Sequence, residues 1–195
     1  MKEAVEHMNE IIRKSIDEFG DVMFQVASRA NFLIKNRVIN TGINAEGQPF
    51  EGYSTRPMLM NCASQYVSTS VCNRLAGSKK KRSELNWVTL KKGDRNIRLF
   101  ELEGGYKQFR ELHGRQTGHV DFMWSGEMWS SVQVVSDDAQ HRKGRAIIST
   151  TRDEENIKLA GLTDMKGDIL MLSNDEINEV SDMIENWLVE KWDEQ

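Results

Sequence analysis

The 195-residue chain is long enough to bury a hydrophobic core and fits one domain, and its 38% apolar and 29% charged residues leave much surface for solvent or neighbours. A net charge of −4 excludes a protein whose whole surface grips nucleic acid, although a local basic patch stays open. No apolar signal core and no run of ~18 apolar residues occurs, so a membrane span is not expected and the reading is a cytoplasm-like compartment.

From Val5 to Leu33 the apolar residues Val5, Met8, Ile12, Phe19, Val22, Val26 and Leu33 step as one helical stripe, which predicts a long amphipathic helix over residues 1–36. Gly20 allows a kink or a break into two stacked helices. Val38, Ile39, Ile43, Phe50 and Tyr53 follow, separated by turn residues, and read as an extended arm or hairpin over 37–60. Asn61 to Asn73 is ambiguous. Tyr66, Val67, Thr69 and Val71 favour strand, whereas Met58 to Met60 after Pro57 could start a helix.

Residues 61–172 read as a β-rich body. Trp87–Leu90 and Ile97–Leu102 flank Gly93-Asp94 as an antiparallel pair, and Tyr106, Phe109 and Leu112 mark a short helix stopped by Gly114. A helical turn is expected through Met128-Trp129, then a hairpin of Val132–Val135 with Arg145–Thr150. Asp153 to Leu159 looks helical, and Asp168–Leu172 looks like a further buried strand. Ser173 and Glu176 have the spacing of a capping box, which opens a C-terminal helix over 173–195. The expected fold class is α+β, with an antiparallel sheet covered by the two terminal helices.

Chemistry is scarce. Cys62 and Cys72 lack metal-ligand spacing and an activating context, and read as reduced, buried thiols. His7, His113, His119 and His141 lack ligand spacing, and no nucleophile elbow, phosphate loop or dinucleotide fingerprint occurs. These patterns point to a non-enzymatic protein that needs no cofactor and no metal. Lys79, Lys80, Lys81 and Arg82, extended by Lys91, Lys92 and Arg95, form the strongest charge feature, read either as a solvated loop or as a contact for DNA phosphates or an acidic partner. Met8 and Trp192 are candidate subunit-contact residues, since Trp and Met are common at interfaces. Phe50 and Tyr53, in the arm, are two more.

The ordered string Tyr106-Lys107-Gln108-Phe109-Arg110, Gly114-Arg115-Gln116-Thr117, Val120-Asp121-Phe122 and Ser125-Gly126-Glu127-Met128 resembles the central region of tailed-phage virion morphogenesis proteins, which include head–tail connector and tail-completion proteins. Phe50-Glu51-Gly52-Tyr53-Ser54 resembles that family's arm motif, and Leu172-Ser173-Asn174-Asp175-Glu176 its last helix start. The likeness runs over residues 37–190 in element order. It implies a homo-oligomeric ring, sixfold or twelvefold, in the neck of a virion assembled in the host cytoplasm. Portal or other neck proteins and tail proteins would be its neighbours, with non-specific contact to passing double-stranded DNA. The alternatives are a cytoplasmic phage assembly factor, or a nucleic-acid-processing enzyme that uses the basic loop with His113, His119 and Asp121.

Overall fold

A computed structural model describes the backbone of residues 2–76, 87–93, 95–136 and 143–193, and all their side chains except those of 2–17, 74–76, 87, 92, 95, 98 and 192. The fold is α+β. Where one domain is expected, the chain divides into two compact units, residues 51–120 and the flanking 1–50 with 121–195. Where one sheet is expected, the strands form two, each antiparallel.

The flanking unit is built on helix α1, Lys2–Thr41. At 1.5 Å per residue its 40 residues span about 60 Å. It runs through Gly20 as one helix and continues past the expected end at residue 36, because the buried stripe Val26, Ala30, Ile34 and Val38 carries the helical period five residues further. Gly42, at φ 64° with its N–H donating to Val38 O, ends it as a left-handed cap. Residues 42–50 then fold back rather than extend. The Asn44 side chain accepts the amides of Glu46 and Gln48, and Ile43 bridges Pro49.

Helix α4 (Glu127–Ser131) leads directly into β4 (Val132–Val135), which pairs with β5 (Ile147–Thr150), Val132 opposite Thr150. Helix α5 is Asp153–Lys166 and α6 is Asn174–Asp193. The core of this unit holds Ile34, Val38, Met128, Trp129, Val132 and Ile169. Fully burying an apolar side chain such as Ile34 or Val38 stabilises by about 1.5–3 kcal/mol. Helix α6 lies antiparallel to α1, as the contacts Arg37–Glu176, Arg29–Glu179 and Phe19–Trp187 follow in opposite chain order.

The capping box is present. Ser173 N donates to Glu176 Oε2 at 2.8 Å, and Glu176 N to Ser173 Oγ at 3.3 Å. The other oxygen of Glu176 accepts Arg37 Nε at 2.8 Å, and the same guanidinium donates to Ile43 O and Met171 O. One glutamate thus caps α6 and ties it to α1. The strand expected at Asp168–Leu172 does not form. The Asp168 carboxylate accepts Leu170 N–H in a turn, and Ile169 is buried as a core side chain instead of a sheet residue.

The other unit contains β1 (Met58–Met60), α2 (Thr69–Ala76), β2 (Trp87–Lys92), β3 (Arg95–Leu102) and α3 (Gly105–Leu112). The sheet order is β1-β3-β2, with Met60 opposite Phe100 and Leu90 opposite Ile97. Met60, Phe100 and Leu102 are buried, with Val71 and Phe109. The strand favoured over Asn61 to Asn73 is replaced by turns and α2. Asn61 and Ser64 side chains accept the amides of Ala63 and Tyr66, which takes the backbone out of an extended path, and only Val71 of the β-branched residues enters the core. The helix carries Cys72 back to Cys62, and the two form a disulfide across Cα atoms 5.8 Å apart. The expectation of two reduced thiols is thereby corrected. No helix among the described residues is long and apolar enough to cross a membrane.

Gly105 marks where the arm meets α3. At φ 61°, a Cβ there would lie 2.2 Å from Arg56 O and 2.8 Å from Thr55 C, both backbone atoms. Gly105→Ala is expected to cost about 2 kcal/mol or more, from the left-handed conformation and the clash together. Gly52→Ala, with open space and no such φ, should shift stability by about 0.5 kcal/mol or less. Urea midpoints of the two variants check the contrast.

Candidate functional site

Of the possible enzymatic set, His113, His119 and Asp121 are each engaged in local structure. His113, at the end of α3, places Nδ1 2.7 Å from Phe109 O, and its Nε2 accepts Ser68 N–H at 3.1 Å. A carbonyl only accepts, so Nδ1 carries the proton and Nε2 is the acceptor. The ring ties α3 to the start of α2. His119 is held through its backbone, which the Gln116 side chain bonds at both N–H and C=O. Asp121 is 2% exposed; its Oδ1 accepts Met123 N at 2.8 Å and its carbonyl accepts Trp129 Nε1 at 2.9 Å. That turn holds Phe122 at φ 51°, a left-handed conformation unusual for a bulky residue, with its ring edge-on to Phe50. His113 and His119 belong to one unit and Asp121 to the other. Among the described residues no three His, Cys, Asp or Glu side chains gather as a metal ion requires.

The candidate contact residues are placed as follows. Lys79, Lys80, Lys81 and Arg82 lie outside the described residues. Lys91 is exposed near the end of β2, and Lys92 closes that strand opposite Arg95. Met8 lies in α1 and Trp192 in α6, and their side chains are outside the description. Phe50 is half-buried and packs against the core that contains Trp129. Tyr53 lies 4.2 Å beneath the Arg110 guanidinium and edge-on to Tyr106, so both arm aromatics are held within their own chain.

Arg110, one residue of the Tyr106 to Met128 string, organises one unit. It is 1% exposed, donates from Nε to Gln116 O at 3.0 Å, and its carbonyl accepts the amides of His113 and Arg115. In the flanking unit, burial lowers the pKa of Lys35 from its ordinary 10.5, and Nζ donates to Val132 O at 2.6 Å. Both cations serve the fold.

Two surface properties stand apart from these internal networks. Charge is divided by unit: residues 51–120 hold 13 Lys and Arg against 6 Asp and Glu, a net of +7, which leaves 13 against 24, a net of −11, for the rest. Large apolar side chains are also exposed at several places, among them Leu59 on β1, Leu90 on β2, and Ile157 and Met165 on α5, the last two 75% and 70% exposed. The chain matches no protein-family model, no curated protein and no solved structure. The per-unit charge could have been counted from the sequence had the boundaries at 50 and 121 been visible. The exposed faces could not, because they depend on which side of each element the core occupies.

Proposed function

We propose that this chain is a non-enzymatic structural subunit of a tailed-phage virion, a ring-forming head–tail connector or tail-completion protein. The observation that carries the reading is the ordered string from Tyr106 to Met128 that resembles that family. Its members Phe109, Arg110, Val120, Asp121 and Met128 are all buried, as expected of motifs that maintain a scaffold and not a reaction centre. The engaged states of His113 and Asp121 favour the same reading over an enzyme. In this reading the chain forms a sixfold or twelvefold ring beside portal or other neck proteins and tail proteins. The basic unit, with Lys79 to Arg82, Lys91 and Lys92, is the element suited to passing double-stranded DNA.

Quantitative mass spectrometry of purified particles tests this. The expected result is the chain at a few to about a dozen copies per particle, the range a single closed ring permits. Its absence from particles, with abundance in the lysate, would support an assembly factor and overturn the virion assignment.

A further inference from the structure

Helix α2 is held in place by few groups. It has eight residues, fewer than the ~12–15 that an isolated helix needs to be even marginally stable in water, so tertiary anchors must supply the rest. Among its described side chains Val71 alone is buried, while Thr69, Ser70 and Asn73 are exposed. Its start is tied by the Ser68 N–H, which donates to His113 Nε2. Its middle is tied by the bond from Cys72 to Cys62. Cys62 stands two residues beyond Met60, which is fixed opposite Phe100, so the disulfide fastens α2 to the end of the sheet.

The rest of the unit does not depend on that bond. The three strands hold one another by backbone ladders, Met60, Phe100, Leu102 and Phe109 are buried, and Arg110 ties α3 to Gln116 and Tyr53. Both cysteines are half-buried, and between them Ala63, Gln65 and Tyr66 are exposed, Tyr66 at 60%. A small thiol can therefore reach the bond, and disulfides open to solvent are the readily reduced kind. Its separation of ten residues closes a short loop, and short loops restrain the unfolded chain least.

We propose that Cys62–Cys72 is a reversible thiol–disulfide switch whose two states are α2 formed and α2 released. The thiolate of a small thiol such as glutathione attacks one sulfur, the S–S bond breaks, and a mixed disulfide remains on that cysteine. A second glutathione thiolate attacks the glutathione sulfur of the mixed disulfide and displaces the cysteine. Both cysteines take up protons, the protein gains two electrons, and two glutathiones leave as glutathione disulfide. The reverse exchange, with glutathione disulfide as oxidant, closes the bond. With it open α2 unwinds, while the sheet and α3 stay folded. The basic run Lys79 to Arg82 begins three residues after α2 ends, so the switch acts on the chain just before it. Passage from a reducing cytoplasm to an oxidising exterior moves the pair from one state to the other. The virion role proposed above supplies that passage, but the switch has its own test.

The full chain is equilibrated in buffers of increasing glutathione over glutathione disulfide. Free thiols are counted by alkylation and mass spectrometry, and hydrogen exchange is read at the amides of α2, β3 and α3. At cytoplasm-like ratios both cysteines should be free. Exchange in α2 should then be about ten- to a hundredfold faster, the range that loss of so short a crosslink supports, with β3 and α3 unchanged. Added glutathione disulfide should restore slow exchange. The double variant Cys62→Ser, Cys72→Ser should match the reduced chain and ignore the buffer, and the unaltered chain decides the matter even where that variant does not fold. A bond that stays closed until the protein unfolds would overturn the switch, as would equal α2 exchange in the two states. Joint loss of protection in α2, β3 and α3 would overturn it too, since the bond would then be a staple of the whole unit.

Discussion

Trp129→Ala is expected to lower the unfolding free energy by about 3–5 kcal/mol, the usual range for removing a buried tryptophan. Trp129 is 4% exposed and sits among Ile34 and Val38 of α1, Met128 of α4, Val132 of β4 and Ile169 of the segment before α6. Truncation therefore opens a cavity where four parts of the unit meet. It also strips the Asp121 carbonyl of the Nε1–H bond that helps hold the Phe122 turn. Trp129→Phe separates the two effects: most apolar contact survives and the carbonyl loses its donor, for a cost of about 1–3 kcal/mol. Urea denaturation followed by far-ultraviolet circular dichroism measures both without relying on the altered fluorophore. A loss below about 1 kcal/mol for the alanine variant would contradict the central packing position given to this residue.

Arg110→Ala should cost the other unit about 3 kcal/mol, combining a charge-assisted hydrogen bond with a desolvated cation–π contact. Arg110→Lys is expected to recover less than half. Lysine has no Nε–H directed at Gln116 O and no planar group to lie over the Tyr53 ring. Hydrogen exchange at α3 amides reads this unit separately from the one around α1. Full protection in the lysine variant would show that charge alone matters at this position.

Several elements were legible because their signals are local. The capping box at Ser173 and Glu176, the β2–β3 hairpin about Gly93, the β4–β5 pair and the helix halted at Gly114 each depend on residues a few positions apart, and each is present. Misreadings arose where side chains compete with the backbone's own pattern. Ile169 is apolar because it fills a core, and the Asp168 turn beside it forbids the expected strand. The β-branched run before Cys72 looks extended, yet Asn61 and Ser64 set turns and α2 follows. The approach of Cys62 to Cys72 depends on that helix, so their spacing alone did not reveal the disulfide.

The candidate site divides the same way. Residue type and order singled out the Tyr106 to Met128 string, but whether Arg110, His113 and Asp121 act on a ligand or on their own chain depends on what surrounds them. The sequence by itself determined the α+β class, the two terminal helices and the hairpins, since helical period, strand alternation and capping are written in neighbouring residues. Only the tertiary structure decided that the chain divides at 50 and 121, and that charge divides with it. Those properties depend on contacts between residues far apart in the chain, which no local pattern encodes.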